Sequence, residues 1–159
     1  MGKLTPAEIE EYFAIHLPYR TGILLAHSRI RPPWPGNVGI LNACFVASLV
    51  TGRLFLNFLG IGKKKKKDGT WTLDRFAAMP TDVTVEDLGG ELIDPASLPQ
   101  EDQDLFLPFI VMADQAAAHF TVPNNHDWTK THEVIRRIHH YLKVNLYDKA
   151  GRPFPDATI

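Results

Sequence analysis

Apolar positions recur with a helical period along most of this chain, and no segment shows a clear alternation of period two. "TPAEIEEYF" opens the first helix. Thr5 can cap it, Pro6 suits its first turn, and Glu8 stands three residues after Thr5 as in a capping box. Pro18 has no N–H and its ring crowds the preceding turn, so this helix ends or kinks near His16. "YRTGILLAHSRI" continues as a second arm, and "RPPWPGN" stops any helix. From about Val38 to Leu59 runs the strongest element. It is apolar on nearly every face and is followed by Gly60, a good left-handed cap. Residues 60–99 form a long connection with room for one or two short helices, "TLDRFAAM" and "TVEDLG". In "QEDQDLFLPFIVMADQAAAHF", Leu105, Phe109, Met112, Ala113, Ala116 and Phe120 mark one helical face, and Pro108 should kink it. The last helix runs from about Trp128 to Tyr147, with Asp127 or Thr129 as cap. Its buried stripe is Val134, Ile135, Ile138, Tyr141, Leu142 and Leu146.

These elements predict an all-α fold: a helical bundle of about four main helices with a long irregular connection between the second and third. One domain spans 1–159, with its core at about 5–147 and a tail over 148–159. The chain has 159 residues, 45% of them apolar and 22% charged, which is a globular composition. A net charge of −1 supplies no global basic field for nucleic acid or anionic lipid. Cys44 stands alone, so no intramolecular disulfide framework is expected, which fits a reducing, cytoplasmic setting. The charged, amphipathic start does not read as a secretory signal.

The apolar helix carries two polar residues that need an account. Arg53 and Asn57 are four apart and share a helix face. A guanidinium is not buried alone; it needs a carboxylate or several carbonyls.

"ACFVASLVTGRLFLNFLG" (43–60) and "VMADQAAAHFT" (111–121) resemble the two motif regions of an uncharacterised bacterial all-helical family. In that family a helix bearing a late arginine precedes a variable loop and a helix that ends in Ala-His-Leu-Thr. Phe120 stands here where leucine is usual. Such proteins are similar to HEPN-type bundles. The resemblance implies Asp114 and His119 as partners for Arg53. HEPN-type ribonucleases place four to six residues between an arginine and a histidine near the start of a late helix. "RRIHHYL" spaces Arg136 and Arg137 too close to His139 and His140 for this, and the Arg20–His27 spacing falls on the first arm.

Other constellations carry blander expectations. His119, His126, His132, His139 and His140 lack zinc-type spacing, so neither a metal nor a cofactor is expected. His132, Arg136 and His139 or His140 read as the wet stripe of the last helix. "GIGKKKKK" lacks the glycine and hydroxyl of a phosphate loop and reads as a solvated, mobile charge run. Val38–Ile61 is long enough to span a bilayer. Arg53 inside it would cost about 2.5–3.5 kcal/mol on insertion scales, so a membrane is not favoured.

The function expected is therefore non-catalytic. It is an accessory or interaction protein, with a homodimer as one partner arrangement, in which Arg53, Asn57, Asp114 and His119 form a structural cluster or bind a small anion. The alternative is a metal-independent, HEPN-like ribonuclease acting on RNA through Arg53 and His119.

Overall fold

The start of the chain folds as its cap chemistry dictates. In the computed structural model, which describes residues 3–30, 38–118 and 128–155, helix α1 spans Pro6–Glu11. The Thr5 hydroxyl accepts from the Glu8 N–H, and the Glu8 carboxylate accepts from the Thr5 N–H at 2.7 Å. A π-helical turn follows at Tyr12–His16, in which the Leu17 N–H reaches the Tyr12 carbonyl, five residues back. Helix α2 then runs over Leu17–Leu24 with Pro18 in its first turn. The wider turn lets the helix pass a residue that has no N–H to give.

Helix α3, Val38–Phe58, is the longest element, and Gly60 ends it in the left-handed conformation at φ +96°. It packs against α2, helix α4 (Gln100–Ala118), helix α5 (Trp128–Leu142) and the strand that follows it. From Phe45 onward it is central: Phe45, Leu49, Phe55 and Leu56 are buried, as is Leu59 just past its end. Near its start, Gly39, Ile40, Asn42 and Ala43 are exposed. By length and composition Gly39–Phe58 could cross a membrane. The α3–α4 approach is close enough that a Cβ at Gly52 would stand 2.6 Å from the Phe109 ring. Helix α4 runs through Pro108 without a break, with that proline on the exposed side. The expected interior stripe of α5 is buried at Val134, Ile135, Ile138 and Leu142. It continues to Leu146 in a π-helical turn at Lys143–Tyr147.

The fold is mostly helical, not all-α. The connection over 60–99 is neither irregular throughout nor helical at "TLDRFAAM". Strand β1, Ile61–Lys65, pairs antiparallel with β2, Trp71–Arg75, in the register Lys63↔Leu73 and Lys65↔Trp71. The turn between them is built by Asp68, whose Oδ1 accepts from the Thr70 N–H and hydroxyl, and by Gly69 at φ +87°. Lys63, Lys64 and Lys65 are therefore part of a strand, and Lys66 and Lys67 lead into its turn. One-turn 3-10 helices follow at Val85–Leu88 and Pro95–Ser97. Val85, Leu88, Ile93 and Leu98 bury themselves there, and the Ile93 N–H bonds to the Leu59 carbonyl at 2.8 Å. The connection is thus fastened to the end of α3 by apolar side chains and backbone hydrogen bonds.

Candidate functional site

Three elements each deliver one charge to the same point. Arg53 comes from α3, Asp114 from the C-terminal part of α4, and Lys63 from the middle of β1. The Arg53 Nε pairs with Asp114 Oδ1, and the Lys63 Nζ lies 2.7 Å from Asp114 Oδ2. Arg53 Nε and Asp114 Oδ1 are sealed from water and make no hydrogen bond of regular geometry, so their contact is ionic. The Lys63 Nζ also sits 3.9 Å from the centre of the Trp71 ring, a cation–π contact diagonal across the hairpin.

The balance of charge decides what this cluster can do. Two cations share one carboxylate, which leaves one positive charge. The Lys63 side chain is only 16% exposed, whereas Arg53 is 38% exposed. The surplus therefore reaches solvent at the guanidinium, whose terminal nitrogens have no partner among the described residues. A planar guanidinium edge is suited to a phosphate or carboxylate.

Of the residues singled out in the sequence, the structure joins Arg53 to Asp114. His119 lies outside the described residues. Asn57, one turn beyond Arg53, has no side-chain hydrogen bond to the cluster and lines a separate groove between the α1–α2 arm, α3 and residues 76–83. Lys63 and Trp71 were not foreseen. The Asp68-Gly69 pair was the signal that could have found them, since that dipeptide is a strong hairpin turn.

The histidines are not simply a wet stripe. His140 and Arg136 are exposed, but His132 approaches His27 with its Nε2 2.9 Å from His27 Nδ1, so one ring donates and the other accepts. His27 is buried, and its backbone N–H bonds to the Ser48 hydroxyl at 3.3 Å. Burial, and then the neighbouring His132, hold the His27 pKa below its ordinary value. Burial, and then Arg136, do the same for His132. His139 is buried against the Phe154 ring, and its pKa is lowered by that burial and by Arg29.

A second polar cluster lies at the other end of α4. The Tyr141 hydroxyl donates to Asp102 Oδ2 at 2.5 Å, and the Arg137 Nε is 3.4 Å from Asp102 Oδ1. Arg137 also holds Glu101 and Glu133. Burial and the Asp102 contact push the Tyr141 phenol well above its usual range. Among the described residues, no three His, Cys, Asp or Glu side chains are grouped to hold a metal.

No family model, curated protein or solved structure matches this chain.

Proposed function

We propose that this chain is a non-catalytic interaction protein, a helical bundle with a docked hairpin, whose Arg53–Asp114–Lys63 cluster receives a small anion such as phosphate. One observation carries the reading: a single carboxylate is shared by two cations, and the more exposed cation keeps its outer edge free. Asp114 holds Arg53 in place, so the guanidinium is oriented before any ligand arrives, and little side-chain entropy remains to be lost. Lys63 adds charge from the hairpin and makes the site depend on that hairpin being docked. In this reading α3 is a core helix and not a membrane span, because its second half is enclosed by α2, α4, α5 and β1.

Inorganic phosphate should raise the melting temperature of the wild-type chain above the effect of chloride at equal ionic strength. Arg53→Gln should remove that rise. A flat response in the wild type, or an equal rise in the variant, counts against the reading. Without detergent the chain should stay in the supernatant after ultracentrifugation, and sedimentation with membranes would refute the core-helix assignment of α3.

A further inference from the structure

The groove that holds Asn57 is independent of the charge cluster. It has a volume of about 290 Å³, small against the roughly 300–1,000 Å³ usual for drug-sized ligands. Its apolar lining is aromatic, with Phe55 from α3 buried and Phe58 and Phe76 half-buried. Three polar groups accompany those rings. Thr51 is 7% exposed, and its hydroxyl, which opens into the groove, makes no hydrogen bond among the described residues. The half-buried Asn57 amide is likewise unengaged, and Arg20, from α2, is exposed and makes no ion pair among the described residues.

A hydroxyl and an amide with no protein partner beside aromatic walls, with a guanidinium that makes no ion pair, are the features of a preformed small-molecule site. The groove also holds one carboxylate, Asp82. Its Oδ2 already accepts from the Met79 N–H at 2.8 Å, while Lys3 bonds to its backbone carbonyl at 2.7 Å and pairs with Asp87. Arg20 is the guanidinium in the lining that a ligand can meet.

We propose that this groove binds a small planar aromatic carboxylate. Its ring lies against Phe55, Phe58 and Phe76, its carboxylate meets Arg20, and Thr51 and Asn57 bond to its polar edge. Such a ligand satisfies all three open groups at once, whereas an aliphatic acid wastes the walls and a neutral arene wastes the guanidinium.

Benzoate is a suitable probe, with benzamide and acetate as controls, in an amide NMR titration of the full chain. Benzoate should give saturable shifts centred on Arg20, Thr51 and Asn57. Benzamide and acetate should bind at least about tenfold more weakly, the weight of one charge-assisted hydrogen bond or of the aromatic contact. Arg20→Gln, an exposed change, should weaken benzoate by a similar factor and leave benzamide unchanged. Asn57→Phe, which fills the groove, should abolish both. Arg53→Gln should leave benzoate binding intact, which separates this site from the anion cluster. No saturable shift at millimolar benzoate, shifts centred elsewhere, or equal affinity for benzoate and benzamide would overturn the proposal.

Discussion

The two ends of helix α4 solve the same problem in opposite ways. Asp102 stands buried in its first turn and Asp114 half-buried in its C-terminal part. At Asp102 three carboxylates surround one guanidinium, Arg137, and a neutral phenol supplies the shortest contact. At Asp114 two cations surround one carboxylate. The helix dipole accounts for the contrast. Partial positive charge at the N-terminus stabilises an anion there, so Asp102 can share one arginine with two competitors. Asp114, four residues before Ala118, has no such help, and two full charges hold it. The cluster at the helix start is left negative; the cluster at Asp114 is left positive, and that charge is available to a ligand.

Substitutions separate the two clusters by size of effect. Asp102→Ala should cost most, about 3 kcal/mol. It strands Tyr141 and the edge of Arg137 at a position only 1% exposed. Asp114→Ala should cost about 2 kcal/mol. Its partners are partly exposed and water screens what remains. Denaturant unfolding of both variants measures the order, and a larger loss at Asp114 would break the dipole account. Asp114→Ala should in addition loosen the hairpin, read as faster amide exchange across β1 and β2. Asp102→Ala should not.

Gly52→Ala tests the spacing between α3 and α4 at Phe109, which lies between the two acids. A methyl there pushes on the ring, at about 1–3 kcal/mol for overpacking, against a gain of up to about 1 kcal/mol in helix propensity. A net loss of about 1 kcal/mol is expected in the same unfolding assay. No loss would mean that the helices separate easily.

The smallest effect is a pH slope that belongs to neither cluster. His27, His132 and His139 have folded pKa values below the ordinary imidazole value of 6.5. Above that pH both states are neutral at these rings and the slope is flat. As pH falls through about 6.5 the unfolded chain takes up protons first, so stability declines. Denaturant midpoints across this range should fall on acidification, and His132→Asn should reduce the slope. A midpoint that rises would contradict the sign.

Much of the helical order was readable in the chain, because capping, proline and glycine act locally. Thr5 with Glu8, Gly60, and the α5 stripe from Val134 to Leu146 stand where their chemistry places them. The hairpin was not. Lysine is a poor strand former, and five in a row hide any alternation. What makes β1 a strand is its surroundings: Ile61 enters the core, and Lys63 meets Trp71 across the hairpin and Asp114 far along the chain. Arg53 announced that it needed a partner, since no charge is buried alone, but nothing local told which cation would share Asp114. His27 and His132 escaped for the same reason, being 105 residues apart.

The account rests on the surplus positive charge at Arg53 being open to an anion. Its most direct test is the side-chain Nε–Hε NMR signal of Arg53 during a titration with inorganic phosphate at constant ionic strength. The signal should move saturably in the wild type and return to its starting position when phosphate is exchanged for chloride. A signal that stays fixed through millimolar phosphate would mean that the cluster is a closed structural lock.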